Sequence, residues 1–64
     1  MPRILVIDKH IIYRTGLCHH LRIGIPRADV IEANNLNEGL AEIRNQAFDL
    51  VLLGTTKFGL GEIV

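Results

Sequence analysis

The stretch Arg3-Ile4-Leu5-Val6-Ile7-Asp8-Lys9 decides the fold. Four apolar residues run straight into a carboxylate and then an ammonium. A run this short, apolar at odd and even positions alike, reads as a strand buried on both faces, as in a parallel sheet. Polar groups at the carboxyl end of such a strand stand where open α/β sheets bind their ligands. Asp8 and Lys9 are therefore the first candidate functional residues.

Downstream, residues 11 to about 23 have helical spacing. Ile12, Tyr13, Leu17, His20, Leu21 and Gly24 recur near the period of about 3.6 residues. Tyr13, Leu17 and Leu21 stack on one face. His20 falls on that stripe and is expected to be a packed or rim histidine. His19 and His20 point in different directions and make a poor metal pair. Gly16 should cost the helix about 1 kcal/mol against Ala; close approach to the sheet is the expected reason. Gly24, Pro26 and Arg27 end the helix.

Ala28 to Ala33 reads as a second strand, less apolar than the first and suited to a sheet edge. Asn35 is expected to cap a second helix, with Glu38 as its reciprocal partner. Leu36, Leu40 and Ile43, with Ala47 beyond, supply the apolar face of that helix, from about 36 to 46. Phe48-Asp49-Leu50-Val51-Leu52-Leu53 reads as a third strand, and Gly54 follows it. Residues 55–61 read as a loop, and Glu62-Ile63-Val64 as the opening of a further helix.

Strand, helix, strand, helix, strand with short connections means two βαβ units and a parallel α/β sheet. Right-handed crossovers with a helix on each face put the first strand in the middle, in the order 2-1-3. The third strand then has an open, apolar edge, a template for pairing. Phe48, Leu50 and Leu52 are the candidate interaction residues, and homodimerisation through this region is the expected outcome.

Composition narrows the function classes. The chain has 64 residues, room for one small domain, and 48% of them are apolar. That argues against disorder and suggests more apolar surface than so short a chain can hide, hence self-association or a fragment of something longer. Seven acidic residues balance seven basic ones, and no basic stripe points to nucleic acid. Cys18 has no second cysteine to pair with; it is expected to be a small packed residue in a reducing compartment. The apolar run near Met1 is too short for a signal peptide or a membrane span. A cytoplasmic protein is expected. Gly59-Leu60-Gly61 lacks the third glycine of a dinucleotide loop and follows the wrong strand. No nucleophile–base pair and no paired carboxylates support an enzyme.

Three segments together resemble the receiver domain of bacterial response regulators, most of all the type joined to a LuxR-like helix-turn-helix output domain. The first is Ile4 to Leu17, in which Asp8, His10, Arg14, Gly16 and Leu17 fall in step with the family pattern. The second is Val30-Ile31-Glu32-Ala33-Asn34-Asn35. The third is Phe48 to Leu53, which in the family leads into the phosphoaccepting aspartate. The resemblance spans essentially all of this chain but only about the first half of the family's domain. It implies a signalling role in transcription regulation.

The same resemblance locates three departures. Lys9 stands at the second acidic, metal-binding position, Gly54 at the phosphoacceptor, and Phe58 where the family has a proline. Thr56 falls where the family offers magnesium a backbone carbonyl. Aspartyl phosphorylation needs a carboxylate nucleophile and a cation to neutralise the phosphoryl oxygens. Glycine supplies no nucleophile. With one carboxylate and one ammonium left, magnesium binding is expected to be lost, no cofactor is expected, and Asp8, Lys9 and Thr56 form a vestigial site. Two states of Lys9 stay open: an internal counter-ion for Asp8, or an ammonium in solvent. His10 could line the pocket mouth or be an ordinary loop residue. The expected activity is that of a receiver-like module acting through protein contacts. Alternatives are a fragment of a longer DNA-binding regulator and, more distantly, a small nucleotide-binding protein.

Overall fold

In the computed structural model, residues 1–54 are described. Three strands and two helices alternate: β1 (Arg3–Ile7), α1 (Ile11–Gly24), β2 (Asp29–Ala33), α2 (Leu36–Asn45) and β3 (Leu50–Leu53). The sheet is parallel with the order β2-β1-β3, as expected for right-handed crossovers with a helix on each face. The expectations for Thr56, Phe58, the loop containing Gly59-Leu60-Gly61 and the helix from Glu62 lie outside the described residues.

β1 is central and its side chains alternate between two cores. Ile4 and Val6 meet Cys18, Val30, Leu17 and Leu21 on the α1 side. Leu5 and Ile7 meet Ala33, Ile31 and Phe48 on the other side. All four β1 residues are buried, and each is worth about 1.5–3 kcal/mol of removed apolar surface. This is the physical content of the two-sided apolar run. Arg3 secures the amino-terminal end of the sheet: its backbone N–H donates to Asp49 Oδ2 at 2.7 Å, and its Nε reaches Asp29 Oδ2 at 3.4 Å.

Asn35 caps α2 as the sequence suggests, its Oδ1 accepting from the Glu38 N–H at 2.9 Å. The return bond goes one residue further back: Glu38 Oε1 accepts from the Asn34 N–H, also at 2.9 Å. α1 closes through the Ile25 N–H, bonded to the Leu21 carbonyl, and the left-handed residue of the following turn is Arg27 (φ 68°) rather than a glycine.

Several sequence expectations need correction. Gly16 does not approach the sheet: a β-carbon there would meet open space. The glycine in close contact is Gly39 of α2, whose β-carbon would overlap Ile7 Cδ1 and lie 2.7 Å from Ile7 Cγ1. His20 is exposed, not packed; its ring stands edge-on to His19 with centroids 6.1 Å apart. Tyr13 is also exposed, so the packed α1 stripe begins at Leu17. The apolar side of α2 is only partly covered, with Leu36, Leu40 and Ile43 all exposed. The third strand is shorter than the apolar run: Phe48 precedes it and packs under the sheet.

β3 pairs with β1 and neither helix packs over it among the described residues. Leu50, Val51 and Leu53 are accordingly 45%, 41% and 55% exposed, while Leu52 reaches the α1-side core. No helix among the described residues is long and apolar enough to cross a membrane.

Candidate functional site at the carboxyl end of the sheet

The parallel register brings the ends of all three strands together. The Asp8 N–H donates to the Ala33 carbonyl at 3.1 Å, and the Gly54 N–H donates to the Ile7 carbonyl at 2.7 Å. Asp8 therefore stands between the ends of β2 and β3, where the sequence places the ligand end of the sheet. Its side chain turns toward Gly54. A β-carbon built on Gly54 would overlap Asp8 Oδ2, at only 2.5 Å from Cγ and 2.8 Å from Cβ. The carboxylate fills the space that a side chain at position 54 would take.

Asp8 is 4% exposed. Its Oδ1 accepts from the His10 N–H at 2.8 Å, and His10 Nδ1 lies 3.1 Å from the same oxygen. His10 is thus more than a connecting residue: it is the N-cap position of α1 and the direct hydrogen-bonding partner of Asp8. The His10 N–H holds the Asp8 carboxyl below the usual carboxylate range; burial opposes this, and the His10 ring and Arg14 add to the lowering. Among the described residues, Oδ2 has no hydrogen-bond partner. Lys9 is exposed beside this pair and lines a cleft with Asn34, Asn35 and Leu36 at the start of α2.

Arg14 is the residue that sequence reasoning left without a role. It is 7% exposed although it carries a full charge. Its Nε donates to Glu32 Oε1 at 3.0 Å. One terminal nitrogen donates to the Asp8 carbonyl at 2.7 Å and to Asn34 Oδ1 at 2.5 Å. The Ala33 carbonyl is 3.4 Å from that nitrogen. Arg22 also reaches Glu32, at 3.6 Å. The guanidinium thus ties α1 to the carboxyl ends of β1 and β2. Its planar fork suits several acceptors at once, which an ammonium does not. The signal available in sequence was the carboxylate at Glu32 on the neighbouring strand.

Among the described residues the donor set at these strand ends does not fit magnesium. The ion prefers an octahedron of oxygens with one or two carboxylates. At these strand ends Asp8 supplies one carboxylate, Oδ1 is taken by His10, and Gly54 contributes no side chain. Glu32 is held by Arg14 and Arg22. Among the described residues no three His, Cys, Asp or Glu side chains gather as metal ligands would. Cys18 is buried in the α1-side core, and burial raises its thiol pKa, which disfavours the reactive thiolate.

Of the candidate interaction residues, Leu50 is on the surface, whereas Phe48 and Leu52 are half-buried against the two cores. The exposed apolar side chains of this edge are Leu50, Val51 and Leu53.

No family model, no curated protein and no solved structure gives a significant match to the chain.

Proposed function

We propose that the chain is a receiver-like signalling module that accepts no phosphoryl group at its third strand and works through protein–protein contacts. The observation that carries this reading is the Asp8–Gly54 relationship. The acidic residue at the end of β1 has folded into the volume of the residue that would have to be the nucleophile. A site with no carboxylate at position 54 and a single hydrogen-bonded carboxylate beside it supports neither aspartyl transfer nor a divalent cation. The apolar edge of β3 supplies the interaction surface, and a second copy of the chain is the partner it fits most simply. The receiver resemblance supports a role in transcription regulation, and the short amino-terminal apolar run and lone Cys18 support a cytoplasmic setting.

The test is an acetyl-phosphate challenge with magnesium, read by intact mass, together with sedimentation at micromolar concentrations. We expect no phosphoryl adduct and a concentration-dependent dimer that Leu50→Lys weakens. A phosphoryl adduct overturns the loss of phosphorylation; a monomer at every concentration overturns self-association.

A further inference from the structure

Asp8 carries more than its hydrogen bonds explain. A buried, ionised carboxylate oxygen without a donor costs free energy on the order of 1–3 kcal/mol or more, and native structures rarely leave one so. Among the described residues Oδ2 is such an oxygen, and it is the one facing Gly54. Asp8 and Gly54 together form part of a cleft of about 300 Å³ on the α1 side of the sheet. Its other walls include Val6, Leu17 and Leu52, with Tyr13 also lining it. The cleft exists because α1 leans over β1 and β2 and leaves β3 uncovered among the described residues.

Size and polarity select the guest. About 300 Å³ is at the low end for ligand pockets, suited to one long side chain rather than to a drug-sized molecule. Apart from Tyr13 the side-chain walls are aliphatic, and Asp8 is the anionic group among them. The neighbouring cleft on the α2 side has Lys9 as well as Asp8 in its lining, so a cationic guest is favoured on the α1 side. A lysine combines an aliphatic stem with a three-donor head, and such side chains bury the stem while the head seeks an acceptor.

We propose that this α1–β3 cleft is a receptor for an alkylammonium group, the lysine side chain of a partner protein, with the stem along Leu17 and Leu52 and the head donating to Asp8. Charge complementarity with Asp8 and an apolar wall along the stem argue for this occupant. The partner as source rests on the proposed role in protein contacts; the amine selectivity of the cleft does not.

The test titrates the full chain with n-pentylamine, 1-pentanol and pentanoate, following the Gly54 and His10 amides by NMR. The protonated amine should bind saturably and at least about tenfold more tightly than the alcohol, with pentanoate excluded; one tenfold step is about 1.4 kcal/mol. Asp8→Asn should remove the preference for amine while the alcohol still binds. Equal binding of the three probes by the parent chain overturns the site, whether or not the variant folds. Acetyl-lysine methylamide should bind within a few-fold of pentylamine. If the free amine binds and this capped lysine does not, the partner lysine is overturned. If Lys57→Gln binds the amine and the parent chain does not, the occupant is the chain's own lysine and the proposal fails. None of these readings depends on phosphorylation, so they are independent of the acetyl-phosphate result.

Discussion

Asp8 and Gly54 compete for one volume: the carboxylate of the first occupies the place where a side chain on the second would begin. The clash extends to Asp8 Cβ, at 2.8 Å, which rotation about χ1 cannot move. Backbone must therefore shift to admit even a methyl group. We expect Gly54→Ala to destabilise the chain by about 1–3 kcal/mol, the usual cost of overpacking. In an Asp8→Ala background the same change should cost less, because Oδ2 and Cγ are gone. A double-mutant cycle by urea unfolding measures the coupling. Additive effects would contradict the shared volume. Gly54→Asp alone should not restore phosphorylation, since it meets the same obstruction.

The hydrogen bond from His10 sets a pH dependence. The folded-state pKa of Asp8 lies below its unfolded value. The unfolded chain therefore takes up the proton first, and stability rises with pH across that window. The contribution is complete above the ordinary aspartate pKa of about 3.9 and is lost as pH falls below it toward the folded value. Asp8→Asn removes this slope. The stability difference between parent and variant should change steadily as the pH falls below about 4 and stay constant between about 5 and 7. Parallel curves at all pH values would show that the carboxyl is not held down.

β1 was legible because two-sided burial leaves a direct mark on composition: every residue from Ile4 to Ile7 is apolar. The order β2-β1-β3 followed from the connection lengths and crossover handedness. Asp8 was legible as the carboxyl end of that strand for the same reason. Arg14 was not, because a charged residue in a helix reads as solvated unless its acceptors are known. Here the acceptors come from residues far along the chain, including Glu32, Ala33 and Asn34. The hydrogen bond from His10 to Asp8 was hidden for a different reason. It depends on the turn between β1 and α1, where the N–H of residue 10 swings back over the carboxylate. Helical spacing also overstated burial on α2, because periodicity reports which residues share a face and not how much of that face is covered.

The two helical glycines should respond to alanine in opposite directions. Gly16 has open space around it, so Gly16→Ala gains helix propensity and stability of about 1 kcal/mol. At Gly39 the new methyl would run into Ile7 in the α2-side core, and overpacking of about 1–3 kcal/mol outweighs the same propensity gain. Ile7→Val removes Cδ1, the nearest obstruction, so Gly39→Ala should cost less in that background. Thermal or urea midpoints decide the signs. Stabilisation by both alanines would mean that α2 stands further from β1 than the contact with Ile7 indicates.

Truncating Arg14 should be the most damaging single change at the strand ends. Arg14→Met keeps the length of the stem but leaves Asn34 Oδ1 and the Asp8 carbonyl without their buried donor, and Glu32 with only the more distant Arg22. Losing one member of a buried ion pair typically costs about 3–5 kcal/mol. Arg22 and the partial exposure of Glu32 argue for the lower end, about 3 kcal/mol. A chain of this size has little stability to spare, so Arg14→Met should be largely unfolded at room temperature. Arg14→Lys separates charge from geometry. An ammonium can neutralise Glu32 but cannot serve it and the acceptors on both strands with a planar fork. We therefore expect Lys to recover less than half of the loss, measured by urea midpoints or by far-UV circular dichroism on cooling. Full recovery by Lys would mean that charge alone holds α1 to the strand ends, and that the hydrogen bonds to Asp8 and Asn34 add nothing.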